Sequence, residues 1–387
     1  MDNKQKIAPR NMSLDLLRII AMLMVIILHT FGYSGLLSAY PALSLQYNIV
    51  WFVEFVSIVA VNCYVMLSGY FLVTSRFKLA RLFSLVGEVL FYSVVIYGLF
   101  LLTGKATLDW GDLLRALLPV IGGEYWFVTA YVGMYVLAPF MNKLINGLSQ
   151  LQHRRLIVGL VALFSLIPTF IFFGDDFGLS GNRLNFGCST PWFLVLYVIA
   201  AYVRRWYRPT YEVTKYLRRY GVTVAVSFGI FLVATFGAER LGIAALRSFA
   251  GYLTAYNSVT ILLCSIALFL VFVNLQIKTP ALNKAITVIA PLTLATYLIH
   301  ENPHVRSVLW SSLDIAGRAN SGTVVLYIVA CVAGIYGGSL LIDAVRRYVF
   351  TVILRLEVVK KMGLALESMV MRRVGAFERV VDALLVR

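Results

Sequence analysis

Charge, acidic residues and cysteine are all scarce in this chain, and each scarcity closes a class of reading. Only 13% of the 387 residues are charged, about half the share of an average soluble chain, and no polar block is long enough to form a soluble domain. Cysteines number four. Cys63, Cys264 and Cys331 fall in apolar runs and Cys188 in a loop. There is no CxxC, so neither a disulfide framework nor a cysteine metal site is implied. No phosphate-cradling glycine loop, nucleophile elbow or dinucleotide fingerprint is present. Internal repeats are also missing, which argues against an inverted-repeat transporter.

What the chain has instead is apolar length. Hydrophobic residues make up 60% of it, and the mean hydropathy is +0.83. Runs of about 20 apolar residues are long enough to cross a bilayer as helices. We read spans near 14–34, 50–73, 82–103, 125–145, 156–173, 190–206, 219–236, 256–276, 286–301 and 323–345. The expected fold is an all-α, polytopic transmembrane bundle of about ten spans. Residues 1–345 form its membrane domain, and 346–387 form a basic amphipathic tail on the inner leaflet.

The net charge of +16 would suggest nucleic acid in a soluble protein, but its distribution follows topology. With the N-terminus in the cytoplasm, the inner segments, taken with Lys143, Arg204, Arg205 and Arg219 at the inner ends of their spans, carry 26 Lys and Arg and the outer segments 7. That is the positive-inside asymmetry. It places both termini in the cytoplasm of a multi-pass plasma-membrane protein whose partner is the lipid bilayer, with no nucleic acid. The first span follows Lys4, Lys6 and Arg10 but lacks a small-x-small cleavage site, so it reads as a retained anchor.

Polar groups inside the spans need a reason, because they are costly in hydrocarbon. Arg18 and His29 lie eleven residues apart in the first span. Eleven helical residues advance about 1100°, within about 20° of three turns, and rise about 16 Å. The two side chains therefore share one stripe, the cation near the inner end and the titratable base toward the outer. Asp15 at i−3 offers Arg18 a purely structural partner. Glu54 is placed one turn into the second span and Glu88 one to two turns into the third, where Arg81 could pair with it. Arg76, Lys78 and Arg81 bring three cations to one inner loop, as topology alone would require or as an anion clamp would use. Pro303 stops the helix that carries His300 and Glu301, so His300 and His304 do not share one helix face as an HxxxH metal pair would. No metal is expected.

Several of these residues fall into motifs. Leu14-Asp15-Leu16-Leu17-Arg18, followed by ten residues and His29, resembles the first-helix Arg/Lys-x10-His signature of the membrane-bound acyltransferase-3 family. Tyr64 to Phe71 (YVMLSGYF) is similar to its Ser-Gly element, with Ser68 and Gly69. Arg76 with Lys78-x-x-Arg81 resembles its basic loop. Tyr125-Trp126-Phe127 through Tyr135 and Pro139 resembles its "WF…Y…P" helix, and Tyr297-Leu298-Ile299-His300 its late "YLIH" element. The likeness spans about residues 14–345.

The resemblance implies transfer of an acyl group, commonly acetyl, from a cytosolic acyl-CoA such as acetyl-CoA to a hydroxyl reached from the other membrane face. The acceptor would be a cell-surface glycan or another hydroxyl compound. His29 is then the catalytic histidine and Arg18 its partner toward the donor. Arg76, Lys78, Arg81 and Arg18 become acyl-CoA contacts. Ser68, Tyr125, Trp126, His300 and Glu301 become acceptor or pore groups, with Ser68 and Tyr125 as possible oxyanion donors. Acceptor recognition is expected to rest on the helices and outer loops. Two other classes compete. An exporter of lipid-linked glycan or a small molecule would use the Arg18/His29 stripe as its path, but no span reads as broken by Gly or Pro. A non-catalytic scaffold leaves the stripe unexplained.

Overall fold

The computed structural model describes residues 10–170 and 185–353, together with 368–369 and 372–373. Every regular element among these is helical. In chain order they are α1 (Met12–Tyr33), α2 (Leu45–Ser57), α3 (Ala60–Leu72), α4 (Leu79–Leu102), α5 (Trp110–Leu117), α6 (Trp126–Asn146), α7 (Gln150–Val161) and α8 (Ile167–Phe170). They continue with α9 (Thr190–Trp206), α10 (Val213–Arg240), α11 (Ala244–Tyr252), α12 (Val259–Asn274), α13 (Pro280–Ile289), α14 (Thr293–His300), α15 (Pro303–Leu313) and α16 (Val324–Ile353).

Among the described residues, eight continuous or once-interrupted helical runs are long and apolar enough to cross a membrane. Each of the ten expected spans coincides with one helix or, at 50–73, 156–173 and 286–301, with an interrupted helical run, residues 171–173 lying outside the described ones. The two outside the eight, α9 and α12, have only 17 and 16 residues. The bundle covers them on most sides, with Trp192, Phe193 and Tyr197 of α9 and Ile261 and Phe269 of α12 fully buried. Short loop helices occupy the segments expected outside the bilayer. Among them are α5, between α4 and α6, and α11, between α10 and α12.

Local chemistry sets the ends. Asn11 caps α1 by accepting from the Leu14 amide, and Ser44 caps α2 by accepting from Tyr47. Ser149 and Gln152 close a reciprocal capping box on α7. A π-helical turn at Ala162–Leu166 precedes Pro168, where the ring removes an amide donor and the ladder must widen. Contrary to the expectation of unbroken spans, Pro280–His300 is interrupted by a 3₁₀ turn at Ala290–Leu292, centred on Pro291. The last span also ends later than expected. α16 runs through Arg346 and Arg347 to Ile353, and most of the remaining tail lies outside the described residues.

Helices in lipid gain little from the hydrophobic effect, so close approach and buried polar pairs hold the bundle. α3 meets α9 at Gly69, where an added Cβ would lie 2.9 Å from the Tyr197 Cα and 3.1 Å from its carbonyl oxygen. Asn62 ties three elements together. It donates to the Tyr256 carbonyl (2.8 Å) and to Ser265 Oγ (3.1 Å), and accepts from Trp192 Nε1 (3.1 Å). Glu88 pairs with Arg346 at 2.8 Å rather than with Arg81. Its partner comes from α16, 258 residues away. Fully buried Asp343 joins the same network, bonded to Tyr92 (2.8 Å), Arg346 (2.6 Å) and Arg347 (2.8 Å). Glu54, buried on α2, has one carboxylate oxygen with no hydrogen-bond partner. It lies nine residues from the start of α2 rather than one turn in, because that helix begins at Leu45.

Candidate active site

A cavity of about 370 Å³ runs between α1, α3, α4, α6 and the interrupted α13–α14 segment. Both Arg18 and His29 line it, as the shared stripe on α1 requires. Arg81 and Leu85 of α4 add to its wall, as do Ser68 of α3 and Pro291, Thr293 and Leu294 from the broken span. The remaining lining is strongly aromatic: Tyr64, Trp126, Phe127, Tyr131, Tyr135, Tyr256 and Tyr297.

At the end that carries Arg18, this side chain pairs with Asp15 at 2.9 Å. Asp15 also binds Arg10. Asp15 is thus shared between two cations, and Arg18 keeps 33% of its side-chain surface exposed. It is partnered structurally and still reaches the cavity. The α1 backbone is fixed here by the Tyr64 hydroxyl, which donates to the Arg18 carbonyl at 2.8 Å. Of the three loop cations, Arg81 lines the cavity, while Arg76 and Lys78 are exposed and off its wall. The Lys78 backbone contacts the wall indirectly, its carbonyl accepting from the Tyr135 hydroxyl at 3.0 Å.

At the other end, α14 carries its last residue, His300, to α1. His29 Nδ1 lies 2.8 Å from His300 Nε2, and His300 Nδ1 lies against the Thr296 carbonyl. The carbonyl only accepts, so His300 Nδ1 holds the proton and its Nε2 is the acceptor. His29 Nδ1 therefore donates to it. In the neutral ring, His29 Nε2 is left with a free lone pair and no hydrogen-bond partner among the described residues.

Glu301 completes the cluster. It is 3% exposed, and its Oε2 lies 3.2 Å from His29 Nδ1. Its Oε1 accepts from the Tyr33 hydroxyl at 2.7 Å and from Arg306 at 2.8 Å. The local reason is Pro303, which opens α15 at its first turn with Asn302 as N-cap. The chain turns sharply between His300 and Pro303, so both His300 and Glu301 fold back on α1. His304 goes elsewhere, stacking on Tyr97 at 5.2 Å. His300 and His304 do not converge. His29, His300 and Glu301 do, and they present three possible metal donors within 4.8 Å of one another. No spacing within one helix could have revealed that trio.

Of the candidate oxyanion donors, Ser68 lines the cavity but donates to the Tyr64 carbonyl at 3.2 Å. Tyr125 is fully buried and off the cavity wall. Its hydroxyl donates to the Leu298 carbonyl (3.1 Å) and accepts from Asn302 (3.0 Å). It braces the turn beneath His300 instead. Trp126 does line the cavity, stacked on Tyr256 at 5.8 Å. Tyr297 was legible only as part of a motif. Its ring lies 6.5 Å from that of His29, and its buried hydroxyl, near the Phe127 backbone, completes no hydrogen bond among the described residues. Just outside, on the loop before α6, burial holds the Glu124 carboxyl above its ordinary range, opposed by nearby Arg115.

No curated protein and no solved structure matches the chain. A family model described as an acyltransferase domain matches residues 11–343. The match takes in α1 through Asp343 of α16, and with them every wall of the cavity. The chain is a membrane-spanning acyltransferase and belongs to the acyltransferase-3 family.

Proposed function

We propose that this protein moves an acyl group, acetyl in the expected case, from a cytosolic acyl-CoA to a hydroxyl of an extracytoplasmic glycan or similar cell-surface acceptor. One observation carries the reading: Arg18 and His29 wall a single cavity, and the imidazole is held through its Nδ1 so that Nε2 is free. The charge asymmetry of the loops supports a cytoplasmic position for the Arg18 end and an outer position for the His29 end. Arg18 and Arg81 suit the phosphate-bearing part of the donor, with Arg76 and Lys78 exposed beside the entrance. The pantetheine arm would lie along the aromatic wall and bring the thioester to His29.

His29 Nε2 takes the proton of the acceptor hydroxyl as its oxygen attacks the thioester carbonyl. The tetrahedral intermediate then collapses, breaking the carbon–sulfur bond, and the imidazolium returns the proton to the departing thiolate. His300 fixes the tautomer and ring orientation of His29. The Glu301 carboxylate faces the imidazolium while it exists, the role an orienting acid has beside a catalytic histidine. Tyr297 lines the same cavity with its ring 6.5 Å from that of His29, and its hydroxyl is the candidate donor to the oxyanion.

Membranes carrying wild-type protein or His29→Ala, given labelled acetyl-CoA and the native surface glycan, test the reading. Label should pass to the glycan only with the wild type, at equal protein levels. Undiminished labelling by His29→Ala refutes the assignment, and glycan movement without acyl-CoA would favour an exporter.

A further inference from the structure

Glu301 Oε2 is buried and has no hydrogen-bond donor among the described residues, although its partner oxygen has two. A buried carboxylate oxygen left without a donor is destabilising, and this one points at His29 Nδ1 from 3.2 Å. His300 Nε2 lies 2.8 Å from the same nitrogen. We propose that His29 Nδ1, His300 Nε2 and Glu301 Oε2 form a binding site for one zinc ion, and that the ion switches the acyltransferase off.

Two imidazoles and one carboxylate are a donor set that suits zinc, with a fourth position left for water. The backing is in place as well. His300 Nδ1 is held by the Thr296 carbonyl, and Glu301 Oε1 by Tyr33 and Arg306. Such outer contacts orient ligands and fix their lone pairs toward the ion. Arg306 engages Oε1, so Oε2 stays available. Tetrahedral zinc with bonds of about 2.0–2.1 Å sets its donors about 3.3 Å apart. The His29–Glu301 spacing of 3.2 Å meets this already; the two rings need to part by about half an ångström, and Glu301 Oε2 and His300 Nε2, which with His29 lie within 4.8 Å of one another, must settle to the same separation.

The consequence for chemistry rests on the proposed base role of His29. Zinc on Nδ1 displaces the ring proton to Nε2, with no proton lost overall. The nitrogen that would accept a proton in the cavity then carries one, and the base is silenced. Removing the ion restores the Nδ1–H tautomer bonded to His300.

The test measures metal first and activity second. Purified full-length protein in lipid nanodiscs is dialysed against zinc chloride and its bound metal counted by elemental analysis. One ion per chain is expected, with magnesium unable to displace it. X-ray absorption of the wild type should show two imidazole ligands. His300→Gln and Glu301→Gln should each weaken binding by about 10–100-fold or more. Acetyl transfer by the wild type should fall with the same zinc midpoint and return on chelation. Absence of stoichiometric zinc, an absorption spectrum without imidazole, or unchanged affinity in both variants overturns the site. Activity lost on chelation rather than regained overturns the switch. Because the zinc count does not depend on turnover, it stands separately if His29→Ala remains active and the base reading fails.

Discussion

Replacing Glu301 by Gln removes one charge from the active site while leaving its shape nearly unchanged. The amide oxygen still accepts from Tyr33 and Arg306, so the hub that holds the turn after α14 survives. What is lost is the negative charge 3.2 Å from His29 Nδ1, between side chains only 16% and 3% exposed. Coulomb's law at an effective dielectric constant of about 20 gives about 5 kcal/mol for that pair when the imidazole is protonated. At about 1.4 kcal/mol per decade, this is a ceiling of between three and four decades in rate. Arg306 shares the carboxylate and offsets part of it. We therefore expect kcat to fall by about 10²–10³-fold, within the range found for orienting acids and oxyanion donors. KM for acetyl-CoA should hold steady, because Arg18 and Arg81, the proposed donor contacts, lie at the other end of the cavity. The assay is steady-state acetyl transfer from labelled acetyl-CoA by protein in nanodiscs, measured without zinc. A kcat within threefold of the wild type would refute the charge-stabilised imidazolium and the role given to Glu301.

Three further substitutions test the site and the packing of the bundle. Tyr297→Phe removes the candidate oxyanion donor from the cavity wall and should lower kcat by about 10²–10³-fold with little change in KM; an unaltered kcat sends the oxyanion role elsewhere. Gly69→Ala should destabilise the bundle by about 1–3 kcal/mol, because its Cβ meets rigid α9 backbone. Gly87→Ala on α4, where nothing lies within 4 Å, should be neutral or stabilising by up to about 1 kcal/mol. Thermal unfolding of the two in one detergent compares them, and equal midpoints would contradict the packing argument.

The contrast between residues read well and read poorly has a physical origin. The Arg18/His29 stripe was legible because helical periodicity is a property of consecutive residues, and α1 is a single unbroken helix. Glu88 was misassigned to Arg81 because proximity along the chain stood in for proximity in space, whereas Arg346 arrives on another helix. Tyr125 looked like a cavity group for a similar reason. It precedes α6 in non-helical backbone and turns its hydroxyl toward Leu298 and Asn302, while its neighbours Trp126 and Phe127 face the cavity. Pro291 was visible as a residue, but the 3₁₀ turn it centres was hidden within an apolar run that scored as one span.

The sequence by itself determined that the chain is a bundle of membrane helices, which ends of those helices carry the positive charge, and that a cation and a histidine share one face of the first. These are consequences of composition and period, which need no partner. Only the tertiary structure decided that this face borders a cavity, that His300 and Glu301 fold back onto His29, and that the free nitrogen of the imidazole is Nε2. Those facts depend on where α14 docks after the turn at Pro303, and docking is set by packing between segments some 270 residues apart, which no local pattern encodes.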